Sequence, residues 1–188
     1  MVLDIDICRE LRVGDTIAVH GTSYLADAIE LAQSIESKEL CKWTHTMTVC
    51  EKYMNKIYVS EAIEKGIVKT DFQTYLDSGK QLMRLRYKGA NTEDYAVEFK
   101  ELADYYSGRS RYDIIGLPLQ GVKLLIKLLD KKANINIKNK KKRFKCVSWS
   151  AFNYYEILDD LSFEEYTNFT VVEFIESGSF DLEVIKRN

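Results

Sequence analysis

Along the chain, short apolar runs of period two alternate with longer runs of period three to four, and their order outlines the fold. After Gly14-Asp15, Thr16-Ile17-Ala18-Val19 reads as a strand. Gly21-Thr22-Ser23 then supplies a break and an N-cap. Leu25, Ile29 and Ala32 follow at spacings of four and three, which predicts a helix running to about Ser34 with one face on a sheet. From Thr44 to Cys50, His45, Met47 and Val49 alternate with Thr44, Thr46, Thr48 and Cys50, the pattern of a half-buried strand. Ile57, Val59 and Glu61 alternate with Tyr58, Ser60 and Ala62 in the same way. The polar stretch Lys52 to Asn55 between the two runs reads as a hairpin turn.

Gln81 to Tyr87 predicts a further strand. Thr92 then caps a helix with Tyr95, Phe99, Leu102, Ala103 and Tyr106 on one face, and Gly108 closes it. Leu117 to Leu129 is apolar enough for a helix, with Pro118 in its first turn. The basic stretch Lys131 to Lys145 reads as a loop, and Cys146 to Leu158 as a helix turning Trp149 or Ala151, with Phe152, Tyr155 and Leu158, to the core. Ser162 and Glu165 have capping-box spacing, and Phe180 to Ile185 reads as a closing strand. The whole is an α+β chain, with an antiparallel sheet packed against helices.

Two residues break this pattern. His45 is polar on the apolar face of its strand, and Glu61 is the lone carboxylate on the apolar face of the next. A hairpin turning about Tyr53 sets Val49 opposite Ile57, Met47 opposite Val59 and His45 opposite Glu61. Cross-strand Cβ atoms lie about 4.5 to 5.5 Å apart, close enough for a carboxylate to orient an imidazole and favour its charged form. Cys146 supplies a nucleophile for such a pair. It follows a basic run and opens a predicted helix, so the helix amides and the neighbouring Arg143 and Lys145 lower its thiol pKa from about 8.5 toward neutrality. A thiolate beside an imidazole attacks carbonyl carbon, and helix-start amides stabilise the oxyanion.

The order of these segments carries a resemblance. Gly14-Asp15-Thr16-Ile17 leads to Trp43-Thr44-His45-Thr46-Met47-Thr48-Val49 and Tyr58-Val59-Ser60-Glu61-Ala62. Gly108 with Tyr112-Asp113 and then Lys145-Cys146-Val147-Ser148 follow. The series resembles the permuted NlpC-type papain-like cysteine peptidases and amidases, in particular the YiiX-like group, over most of the chain. The resemblance implies a circularly permuted papain-like fold with the catalytic His ahead of the Cys, the roles falling on His45, Glu61 and Cys146. It further implies that Tyr112 lines the substrate site, that no cofactor is needed and that the substrate is peptide-like or acylated. The chain departs from the pattern after the histidine, where Thr46-Met47 stands, and after the cysteine, where Val147-Ser148 replaces Ser-Glu.

Composition narrows the alternatives. With 188 residues, 46% of them hydrophobic, and no Pro- or Gly/Ser-rich linker, residues 1–188 read as one domain. Lysine and arginine number 27 against 29 acids, a formal charge of -2, so no nucleic-acid-binding surface is expected. The run Lys138 to Arg143 reads as a solvated loop, with attraction of an anionic substrate toward Cys146 as the alternative. No apolar run reaches the ~18 residues of a membrane span, and Met1 to Glu10 does not have the form of a secretion signal, which points to a cytoplasmic protein. Cys8, Cys41, Cys50 and Cys146 are irregularly spaced and read as reduced thiols. Strand alternation sends His45 and Cys50 to opposite faces, so no metal site is expected. Two other readings stay open beside the cysteine hydrolase: a lipid acyltransferase on the same scaffold, and a non-catalytic module binding a peptide or an anion.

Overall fold

Thr16 through Val19 are all buried, which fits β1 (Thr16–His20) for the interior of a sheet rather than its edge. In the computed structural model the chain is described at residue 7 and over residues 9–112, 143–165 and 169–185, with backbone alone at Leu25, Tyr112 and Arg143. Helix α1 (Tyr24–Gln33) follows β1, its N-cap Ser23 accepting from the Ala26 amide at 3.2 Å. Strands β2 (Trp43–Tyr53), β3 (Lys56–Ile63) and β4 (Gly66–Asp71) form a meander. Short helix α2 (Gln73–Asp77) leads to β5 (Leu82–Tyr87). A 3-10 turn over Thr92–Tyr95 opens α3 (Ala96–Tyr106). Then come β6 (Arg111–Tyr112), β7 (Arg143–Phe144), α4 (Cys146–Leu158), α5 (Val171–Ile175) and β8 (Phe180–Ile185). The main sheet runs β4-β3-β2-β1-β5-β8 with every pair antiparallel, and β6 and β7 form a short parallel pair.

The hairpin register differs from the one read in the sequence. The turn is the two residues Met54 and Asn55, with Met54 at φ +55°, and it closes on Tyr53 opposite Lys56. A bulge between Val49 and Glu51 then shifts the ladder, so Val49 faces Val59 and Met47 faces Glu61. His45 and Glu61 are therefore diagonal neighbours on one face, not direct partners. Strand β2 is also buried on both faces rather than one, since Thr44, Thr46 and Thr48 are as enclosed as Met47 and Val49.

The cause of that second burial is α4, which lies across β2 and β3 with every residue from Cys146 to Tyr154 buried. Two of its polar groups bond directly to the sheet: Ser150 meets the Thr46 hydroxyl at 3.0 Å, and Trp149 Nε1 donates to Ser60 Oγ at 3.0 Å. The Tyr154 hydroxyl donates to the Gly14 carbonyl at 2.6 Å and meets Thr16 Oγ1 at 2.9 Å. Around Trp149, the rings of Tyr106, Phe144 and Phe152 pack with centroids 5.1 to 6.0 Å apart. Each such pair adds about 0.5–1.5 kcal/mol beyond its buried area.

Two elements that carry side chains to the site went unread in the sequence, β4 and α2, as did α5, β6 and β7, and β7 puts a strand at Arg143–Phe144 within the stretch read as a loop. Gly66, at φ +101°, opens β4 where an added Cβ would stand 2.2 Å from the Ser110 carbonyl oxygen, so only glycine fits. Near the end of the chain, Asp160 caps the Leu161–Phe163 turn in place of the expected Ser162 and Glu165 box, and the capping box that forms is Thr170 with Glu173. Cys8, the expected helix Leu117 to Leu129, the run Lys138 to Lys142 and Asn168 lie outside the described residues. No helix among the described residues is long and apolar enough to cross a membrane.

Candidate active site

His45 reaches the site from β2 just where the β1–β2 pairing slips, between Val19 opposite His45 and His20 opposite Trp43. Bulges of this kind re-aim a side chain beside the break. Across the diagonal, Glu61 Oε2 stands 2.7 Å from His45 Nε2, a separation that long side chains cover easily from positions offset by two residues. The imidazole keeps 22% of its surface exposed and the carboxylate only 3%.

A carboxylate so deeply buried needs partners, and the sequence reading named only one of them. Thr70 Oγ1 donates to Glu61 Oε1 at 2.7 Å, and the Tyr75 phenol donates to Oε2 at 2.5 Å. These come from β4 and α2, two of the unread elements. Burial alone raises a carboxyl pKa. The His45 hydrogen bond and charge, followed by the bonds from Tyr75 and Thr70, outweigh it and hold Glu61 below its ordinary value. Burial, the Glu61 charge and the bond to it push the Tyr75 phenol up, so it stays protonated as a donor.

Cys146 is the first residue of α4 and is 7% exposed. Its side chain lines the same cleft as His45, and each of the two groups shifts the titration of the other. Since Nε2 of that ring faces Glu61, Nδ1 is the nitrogen left for the thiol. Burial raises the thiol pKa, but the His45 hydrogen bond and charge, with backbone N–H groups of Thr46 and Val147, bring it below the free-thiol value. The sequence pointed to helix-start amides and flanking cations for this effect; the imidazole leads, with the amides of Thr46 and of Val147 at the helix start. His45 moves the other way. Burial disfavours the imidazolium, yet hydrogen bonds and charge from Cys146 and Glu61 raise its pKa well above the usual histidine range. Cys50 shows the contrast, a thiol that burial pushes up to about 12.

The structure thus brings together His45, Glu61 and Cys146, the three residues that the sequence singled out. Tyr112 enters through its backbone, which pairs with Phe144 two residues before Cys146; its side chain lies outside the described residues. A cleft of about 260 Å³ opens over the three, walled by Val19, Ile29, Ile63 and Lys80 among others. Among the described residues no group of three or more His, Cys, Asp or Glu is arranged to hold a metal. Both Glu61 oxygens already accept hydrogen bonds, and His45 Nε2 is turned to one of them, so these residues do not fit a metal centre.

A solved structure shares this fold: the metalloprotein yiiX from Escherichia coli O157:H7, DUF1105, superposes with a TM-score of 0.60 at 16% identity. The match covers 94% of this chain and 97% of that one. The likeness extends to the α+β architecture with its antiparallel sheet packed against several helices. No family model matches the chain, and no curated protein matches it in sequence.

Proposed function

We propose that the protein is a cysteine hydrolase on a circularly permuted papain-like scaffold, acting on amide, ester or thioester carbonyls through an acyl-enzyme on Cys146. The observation that carries this reading is the chain of contacts from the Cys146 thiol through His45 to Glu61, with the carboxylate 2.7 Å from the ring and further anchored by Thr70 and Tyr75. It sets the thiol pKa down and the imidazole pKa up, the signature of a thiolate–imidazolium pair.

In the first step the thiolate attacks the carbonyl carbon, and the oxyanion forms at the start of α4. That helix has no side-chain cap bond from Lys145, so amides of its first turn other than that of Val147, which faces the thiol, serve the oxyanion. The imidazolium gives its proton to the leaving nitrogen, oxygen or sulfur as the bond to carbon breaks. In the second step His45, now neutral, takes a proton from water, which attacks the thioester and releases the acid and the thiolate. Glu61 holds the ring's orientation throughout and favours its charged form whenever the proton is on it, and Tyr112 is the substrate contact that the resemblance implies.

The test is to trap the intermediate. Brief incubation with a p-nitrophenyl acyl ester, acid quench and peptide mass spectrometry is expected to show one acyl group on Cys146 and none on Cys41 or Cys50. The adduct is expected to accumulate further in His45→Ala if that variant acylates at all. Acylation spread evenly over the cysteines contradicts the reading.

A further inference from the structure

The cleft above Cys146 carries an unused positive charge. Glu61 is the one carboxylate lining it among the described residues, and three donors already engage its two oxygens. Lys80 is the one lysine or arginine on the same wall, and it has no carboxylate partner among the described residues. Most cations on or beside the sheet differ in this respect: Lys56, Lys69, Lys88, Arg84 and Arg86 each pair with an acid, while Lys52 donates to the Leu11 carbonyl.

The position of Lys80 is built, not incidental. Helix α2 ends at Ser78, and Gly79 takes φ +67°, the left-handed turn that swings the next residue back over the helix. The Lys80 amide then donates to Ser78 Oγ at 3.4 Å, and its ammonium lies 6.0 Å from the centroid of the Tyr75 ring. Tyr75 is the residue whose hydroxyl anchors Glu61. One aromatic side chain therefore ties the charge on the cleft wall to the carboxylate that orients His45. Gly21, Thr22 and Ser23, at the N-terminus of α1, also line the cleft and add the positive end of a helix dipole.

We propose that Lys80 is a specificity residue that receives a carboxylate of the substrate, so that the favoured acyl donors carry a free carboxyl group within reach of the scissile carbonyl. The inference rests on the reading of Cys146 as the acylated thiol. At about 260 Å³ the cleft falls below the roughly 300 to 1,000 Å³ of sites for drug-sized ligands. Beside apolar Val19, Ile29 and Ile63, that space fits an acyl group the size of one amino-acid residue, with its free carboxylate on Lys80.

The experiment compares p-nitrophenyl esters of equal length with and without a terminal carboxylate, the monoglutarate against the valerate, on wild type, Lys80→Met and Lys80→Arg. The ratio of kcat/KM for the two esters is expected to favour the glutarate at least tenfold in wild type. It should fall toward one in Lys80→Met, persist in Lys80→Arg and shrink as salt is raised. Residue-resolved iodoacetamide labelling of Cys146 in each variant reads the thiol independently. A ratio near one in wild type, or a high ratio that survives in Lys80→Met, overturns the role of Lys80 while Cys146-dependent turnover leaves the hydrolase standing. Loss of turnover for both esters with a Cys146 no more reactive than Cys41 overturns both.

Discussion

At the scale of single residues, the site turns on how a nearly enclosed carboxylate is kept charged. Glu61 holds its proton off because His45, Tyr75 and Thr70 all face it, and the same contacts make it an effective orienter of the ring. Removing one donor tests this without opening the core. Tyr75→Phe deletes a hydrogen bond to a charged group, a contact contributing about 1.5–3 kcal/mol, which corresponds to a loss of roughly ten- to a hundredfold in kcat/KM. Its acid limb should also move to higher pH. The Glu61 pKa rises when a stabilising donor is lost, so the carboxylate protonates earlier as pH falls. A pH–rate profile of the variant on a neutral ester checks both; an unmoved acid limb means that Tyr75 does not act through Glu61. His45, Glu61 and Cys146 were legible in the sequence, because a polar residue on an apolar strand face is a misfit that asks for a partner. Tyr75 and Thr70 were not, since each sits in an element that the hydropathy pattern did not announce. Phe72 and Leu76, four apart and both fully buried, were the available signal for α2.

At the scale of elements, α4 presents Cys146 and its packing fixes where the thiol stands. Trp149, one turn beyond Cys146, is fully buried among Tyr106, Phe144 and Phe152 and hydrogen-bonded to Ser60 on β3. Trp149→Ala is expected to cost about 3–5 kcal/mol of stability, read as a lower urea midpoint with an unchanged slope. A loss under about 1 kcal/mol means that the helix does not depend on this cluster. The sequence placed α4 well because Phe152, Tyr155 and Leu158 recur at helical spacing, yet it undercounted the burial, for the helix encloses Ser148, Ser150 and Asn153 as fully as its apolar residues. The β2–β3 register failed for a different reason. Met54-Asn55 lacks the glycine of a common two-residue turn, and a bulge at Cys50 leaves no mark in an alternating pattern whose faces are both buried. The two errors moved Glu61 by one pair along the ladder and kept it on the same face, which is why the pairing of His45 with Glu61 survived the wrong register.

At the scale of the molecule, the chain assembles the site from both ends. His45 and Glu61 come from the first third, on a sheet made by nearby strands, while Cys146 arrives more than 80 residues later on a helix that β7 delivers to that sheet. This order, histidine before cysteine, was visible in the sequence, and so was the α+β class. The position of β8 beyond β5 was not, because strand order depends on long-range pairing that local pattern does not encode. The same arrangement explains why four cysteines in one chain should behave differently. Cys50 is buried beside the Tyr58 carbonyl, which its thiol contacts at 3.4 Å, with its pKa pushed up, whereas Cys146 sits where an imidazole and two amides favour the thiolate.

That contrast gives the most direct measurement, the pH dependence of iodoacetamide alkylation followed cysteine by cysteine by mass spectrometry, on wild type and His45→Ala. A depressed thiol pKa beside a raised imidazole pKa means that the thiolate forms as pH rises through the lower value and persists above it. Cys146 is therefore expected to label well under the ordinary thiol value of about 8.5, with Cys50 silent. In His45→Ala burial is left with less to oppose it, and labelling of Cys146 should move to well above pH 8. Slow labelling of Cys146 that matches Cys41 and is unchanged by His45→Ala contradicts the ion pair and leaves a binding domain in place of an enzyme.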